Sequence, residues 1–222
     1  MEQMSVQDIL IRSRSTILEL LHARGYNTMP YKKLVGPDLM KLMGNPGALR
    51  IEVMHSEKSD HKAIVEYTFQ PKNTLTQGKY VKDILSDTSE SEYGLYGVNP
   101  ETTEVLIIYM PKNISEDTLP YDKAALEALT THKLRIQFFP MTRLVNNPLN
   151  HMLQPKFELI PSEQHKNLLE ENYARSKTQF PLIRYHHDMV ARCLGLIPGD
   201  IIKITRPSYS AGEYVSYRTC VP

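Results

Sequence analysis

Pro37-Asp38 followed by Asp60-His61-Lys62 satisfies the P-D…[D/E]-x-K pattern of metal-dependent nucleases. In that chemistry two carboxylates hold Mg²⁺ and the lysine steadies the attacking water. The second pair must stand on a strand aimed at the first carboxylate. Here Pro37-Asp38 reads as a helix start, and Asp60-His61-Lys62 reads as the polar turn before a strand. Solvated turns are therefore the favoured reading, with a Mg²⁺-dependent nuclease built on residues 1–148 kept as the alternative. Among eight histidines, none stands at the i, i+4 spacing of a metalloprotease, and no C-x-x-C exists to complete a zinc site. His55 with His61, or the adjacent His186-His187, would supply two ligands at most, so no metal and no cofactor are expected. Cys193 lies in an apolar helical stretch, with no nearby cation to lower its pKa. There is no G-x-S-x-G and no glycine-rich phosphate loop, so catalysis and a small-molecule substrate find no support.

The 222 residues carry 26 Lys plus Arg against 25 Asp plus Glu, a formal net charge of +1. That balance excludes a histone-like nucleic-acid binder, because no global positive field drives phosphate contact. The longest apolar run, residues 105–110, is far too short for a membrane span. The first residues lack a basic and apolar leader, and two cysteines cannot staple a chain of this size. An intracellular protein with reduced thiols and no membrane association is the expectation.

Val6, Ile9, Leu10, Ile17, Leu20 and Leu21 recur at helical spacing between Ser5, a fitting N-cap, and Gly25. A second helix is expected after Pro37, strands over 48–54 and 63–69, and a helix over 77–86. A polar loop over 87–100, a central strand over 105–110, a helix over 121–131 and a strand over 134–139 follow. This alternation predicts an α/β layer with at least one parallel pair. The turn-rich Asn146-Asn147-Pro148-Leu149-Asn150 marks a boundary between domains 1–148 and 149–222. In the second, Ser162 opens a helix with Leu168, Leu169 and Tyr173 facing inward, and Asp188 caps a short helix ending at Gly195. Strands over 201–205 and 214–219 form a hairpin through Pro207 and Gly212, making a small α+β unit.

The C-terminal block runs Leu194-Gly195-Leu196-Ile197-Pro198-Gly199-Asp200-Ile201-Ile202-Lys203-Ile204-Thr205-Arg206, then Gly212-Glu213-Tyr214-Val215-Ser216-Tyr217-Arg218. Strand alternation sends Tyr214, Ser216 and Arg218 to one face, Val215 and Tyr217 to the other. One face is expected to seal the small core. The other would show Tyr and Arg, the residue types that anchor interfaces.

This block, with His151, Pro155-Lys156, the helix from Ser162, Gln179, Pro181 and Asp188, resembles the C-terminal module of the fifth-largest subunit shared by eukaryotic nuclear RNA polymerases. The same module stands alone as a small subunit of archaeal RNA polymerase. The match spans residues 150–222 with essentially no gaps. Arg24-Gly25-Tyr26, and the 105–110 strand with Asn113-Ile114-Ser115, resemble the family's N-terminal "jaw" more faintly. The resemblance implies an α/β jaw of nuclease-like, inactive fold followed by an assembly domain. It further implies a non-catalytic subunit that docks on the largest subunit and forms the lower jaw near downstream double-stranded DNA. Docking would use Arg206, Tyr214 and Arg218, with Lys203 and Lys156 as rim charges. Lys112, Asn113 and Ser115 would approach DNA phosphates, beside Glu116 and Asp117 where relatives carry neutral residues. The divergence of residues 27–100 is also what a large DNA virus's own subunit would show, and the reading leans to a viral copy. The expected location is the nucleus for a cellular gene, and the virion or cytoplasmic viral factory for a viral one. A free-standing regulator that borrowed the docking module is a third reading.

Overall fold

Helix α1 (Val6–Ala23) begins where Ser5, extended at φ −66° and ψ 150°, accepts the Asp8 backbone N–H on its hydroxyl at 3.1 Å. It ends at Gly25, whose φ of +93° turns the chain back. A Cβ at that position would lie 2.8 Å from the His55 ring, so both the dihedral and the space demand glycine. Past the turn, the Asn27 N–H donates to the Met54 carbonyl and the Ser56 N–H donates to the Gly25 carbonyl, each at 2.9 Å. The helix end is thereby tied to strand β1 (Ile51–Met54).

The computed structural model describes residues 4–33, 36–42, 47–69, 78–85, 97–111 and 119–222. The chain divides into two compact units, Met1–Asn147 and Pro148–Pro222. The remaining elements of the first are α2 (Gly36–Leu42), β2 (Lys62–Thr68), α3 (Gly78–Leu85), β3 (Thr103–Tyr109), α4 (Leu119–His132) and β4 (Arg135–Pro140). The sheet order is β1-β2-β3-β4; β1 runs antiparallel to β2, while β2, β3 and β4 run parallel. The segments containing α3 and α4 return the chain between parallel strands, as the alternation of patterns predicts. Ile64, Val105, Ile107, Ile136 and Phe138 meet Tyr80, Ile84, Tyr121 and Ala128 of α3 and α4 in one core. The opposite face meets α1, through Arg24 and residues Glu104 and Gln137. Every residue of β3 is buried in consequence, as expected for a parallel strand covered on both faces. Most of the expected 87–100 loop lies outside the described residues.

The second unit contains β5 (Lys156–Ile160), α5 (His165–Glu171), β6 (Leu182–Arg184), α6 (Met189–Leu194), β7 (Ile201–Ser208) and β8 (Gly212–Val221). Its sheet order is β5-β7-β8-β6, with β6 parallel to β8 and the other pairs antiparallel. Asp188 caps α6 by accepting the Val190 N–H at 2.8 Å, and Gly195 closes it in the left-handed region. Asp200 then accepts the Ile197 N–H at 2.8 Å, fixing the turn that launches β7. Ile201, Ile202 and Ile204 are buried with Tyr185, Leu196, Cys193 and Cys220. Both cysteines are buried and no disulfide joins them, and burial, with Asp200 and Asp188 nearby, pushes the Cys220 thiol up to about 12.

Three expectations are corrected. Strands β5 and β6 flank the predicted hairpin. Tyr173 does not face inward: it is 96% exposed, at φ +53° just past α5. Val215 does not seal a core either, because β7 and β8 extend beyond their neighbours and the core is closed farther along, at Thr219 and Cys220. No helix among the described residues is long and apolar enough to cross a membrane.

Glu104 is 2% exposed and is held by Arg24, by Arg135 at 3.6 Å and by the Tyr26 hydroxyl, which donates at 3.2 Å. Burial opposes its charge, yet the two guanidiniums and the hydroxyl hold the carboxyl below its ordinary value of 4.5. Its contribution to stability is therefore full above the ordinary range and lost as pH falls through the folded-state value. Glu104→Gln removes the buried carboxylate that pairs with two guanidiniums and is expected to cost about 3 kcal/mol or more in urea unfolding at pH 7. The difference from the parent should shrink on acidification below pH 4.5.

Candidate docking surface

In the second unit, register decides which side chains share a face. Arg206 pairs with Tyr214, Ile204 with Ser216 and Ile202 with Arg218, while Phe157 pairs with Ile204 on the other side of β7. Residues opposite one another in a ladder project to the same face, so Phe157, Arg206, Tyr214 and Arg218 stand together. Lys203 pairs with Tyr217, and Lys156 with Thr205. The two lysines therefore lie on the opposite face, and the five residues expected to form one docking surface are split three and two.

The arginine face holds a groove of about 250 Å³. Phe157, Ile183, Val190 and Ile204 supply its apolar lining, with Gln154, Pro155, Asp188, Arg206 and Arg218 as the rest. Each wall has a local cause. β5 brings in Phe157 by pairing with β7, β6 brings in Ile183 by pairing with β8, and the capped start of α6 brings in Val190 and Asp188. Tyr214 is 59% exposed beside it. Arg218 reaches back only to the Leu182 carbonyl, at 3.4 Å, and neither it nor Arg206 has an ion pair among the described residues. The lysine face differs: Glu158 binds Lys156 at 2.7 Å and lies 3.6 Å from Lys203. Their hydrogen bond and mutual attraction raise the Lys156 pKa and lower that of Glu158. One face thus presents arginines without ion pairs among the described residues around an apolar floor, and the other presents charges already paired.

Sequence reading missed the groove's floor. The alternation Lys156-Phe157-Glu158-Leu159-Ile160 carries the signal of β5, whereas Asp188 reads as a helix cap with nothing nearby to indicate its place in the groove.

In the first unit, Asp38 is exposed on α2 and pairs with Lys41 at 3.5 Å. Asp60 is exposed on the turn before β2, where it accepts from the Ser59 hydroxyl at 3.4 Å, and Lys62 opens β2. Each carboxylate is engaged by its own neighbour. Among the described residues, no group of three or more His, Cys, Asp and Glu is arranged to hold a metal ion. Lys112, Asn113 and Ser115 lie outside the described residues.

Residues 146–220 match the protein family described as RNA polymerase Rpb5, C-terminal domain. The chain is 30% identical over 216 residues to a protein of Dictyostelium discoideum named DNA-directed RNA polymerases I, II, and III subunit rpabc1, covering 96% of this chain and 97% of that one. It is 26% identical over 211 residues to DNA-directed RNA polymerase V subunit 5C of Arabidopsis thaliana, covering 94% and 82%. DNA-directed RNA polymerase subunit Rpo5 of Archaeoglobus fulgidus is 44% identical over 72 residues, which cover 32% of this chain and 92% of the archaeal protein.

The groove residues divide into those that hold the fold and those that face outward. Arg206→Ala combined with Arg218→Ala is expected to change unfolding free energy by less than about 1 kcal/mol, as for solvent-facing sites. Asp188→Ala removes the α6 cap and should cost about 1 kcal/mol by itself. Urea titration of the three proteins measures the difference.

Proposed function

The chain belongs to the Rpb5 (RPABC1) family of DNA-directed RNA polymerase subunits, and on that premise we propose that it serves as a non-catalytic component of a multisubunit polymerase. It docks on the largest subunit through the Arg206–Tyr214–Arg218 face of its C-terminal unit, and its N-terminal unit forms the lower jaw beside downstream duplex. The observation that carries this reading is the apolar groove flanked by two arginines without ion pairs among the described residues, on the segment that matches the family domain. Such a surface suits a partner segment bearing apolar side chains and carboxylates, which would fill the floor and pair with the guanidiniums. Lys156 and Lys203 belong to the rim of neither groove wall and are not needed for docking.

The α/β layering of the N-terminal unit supports a nuclease-like ancestry, and the exposed, separately engaged Asp38 and Asp60 support a role without catalysis. Nucleotide addition belongs to other subunits of the complex. Contacts of the jaw with DNA would be to phosphates, independent of sequence and weakened by salt. The protein works where its polymerase works: the nucleus, or a viral factory if the gene is viral.

A stable subunit contact buries more than about 1,200 Å² in total, and a central Arg or Tyr contributes about 2 kcal/mol or more. Tyr214→Ala with Arg218→Ala should therefore release a tagged subunit from the polymerase in affinity purification while leaving it folded. Lys156→Ala with Lys203→Ala should retain it. If the first variant unfolds, the residues are structural and the face is wrongly assigned. Purified protein with Mg²⁺ should cleave neither DNA nor RNA above background; cleavage abolished by Asp60→Asn would establish the nuclease reading instead.

A further inference from the structure

The two outer strands of the second sheet leave an unequal pair of edges. β6 pairs with β8 only at Thr219, Cys220 and Val221, so no described strand covers the outer side of β8 over residues 212–218. The hydrogen bonds tell which groups face that side. The Cys220 N–H donates to Asp200 on the β7 side at 2.8 Å, while the Thr219 N–H donates to Pro181 on the β6 side at 2.9 Å. Antiparallel ladders alternate, so the N–H and C=O groups of Val215 and Tyr217 point outward like those of Thr219.

Soluble proteins blunt long open edges with lysine, proline, bulges or brevity. β5, the edge at the opposite side of the sheet, carries Lys156 and Glu158, and β6 is three residues long. The open part of β8 reads Gly212-Glu213-Tyr214-Val215-Ser216-Tyr217-Arg218, without lysine or proline and rich in residues that favour strands. Tyr214 is 59% and Val215 39% exposed. A segment added here would meet Arg218 and Tyr214 on one face, and Val215 and Tyr217 on the other. Phe180, whose ring lies 5.8 Å from that of Tyr217, extends the apolar side.

We propose that the outer edge of β8 accepts an extended segment of the neighbouring polymerase subunit as a fifth strand, with carboxylates facing Arg218 and apolar side chains facing Val215 and Tyr217. This deepens the docking reading and rests on it. Main-chain hydrogen bonds would supply affinity, and the two faces would set register.

Val215→Pro tests it in the full chain. It removes an outward N–H, and proline at such an edge position is tolerated, so the hairpin should persist. The variant should keep the parent's thermal midpoint within a few degrees yet lose at least about tenfold in assembly with polymerase depleted of this subunit. Hydrogen exchange on the parent gives a second reading: the Val215 and Tyr217 amides should exchange quickly in the free chain and at least about a hundredfold more slowly once assembled. Should Val215→Pro not fold, this protection alone decides. If folded Val215→Pro assembles normally, or the amides stay unprotected in the complex, strand addition is overturned; release of the Tyr214→Ala, Arg218→Ala variant in the same assay leaves the docking reading standing. If neither variant is released, both fall. A concentration-dependent dimer of the free chain, abolished by Val215→Pro, would make the occupant a second copy and also overturn the proposal.

Discussion

The first unit is organised around one buried negative charge. A glutamate desolvated at the start of the central strand is costly unless its partners are fixed in place. Arg24 and Tyr26 reach Glu104 from the end of α1, and Arg135 reaches it from the neighbouring strand. The charge therefore joins three segments far apart in sequence. It also gives a physical reason for Arg24-Gly25-Tyr26: the arginine and tyrosine compensate the carboxylate, and the glycine permits the turn that brings both to it. Packing alone would let α1 slide along the apolar sheet face, whereas a carboxylate with few acceptable partners sets where the helix stops.

Much of the secondary structure was legible because local rules and tertiary packing agree. Ser5 and Gly25 bound α1, Asp188 and Gly195 bound α6, and the apolar run 105–110 is an inner strand. What escaped had little local signal. β6 is three residues long, too short for periodicity to register. β5 alternates, but over five residues between turns. Tyr173 follows helical spacing from Leu169, yet α5 has already ended and a left-handed residue turns its ring into solvent.

The candidate site shows the same division. The separation of Lys203 from Arg206 was contained in the sequence, because three residues along a strand reverse the face. The place of Lys156 was not, since it depends on pairing with Thr205, far along the chain. The groove needs both flanking strands and the start of α6; β6 and the α6 cap lie close together in sequence, but β5 is more than twenty residues before them. Residue types suggested an interface, and only register could say which of them act together. The likeness to the Dictyostelium protein extends over nearly the whole chain, whereas that to the archaeal protein is confined to 72 residues.

The two cysteines give the second unit an unusual chemical quietness. Cys220 stays protonated at neutral pH, and Cys193 is buried on α6. Since the thiolate is the reacting species, oxidants and alkylating reagents find little to attack while the sheet is closed. Modification becomes possible when the strands part, so the core's own sulfur atoms keep a record of its breathing without any label being introduced.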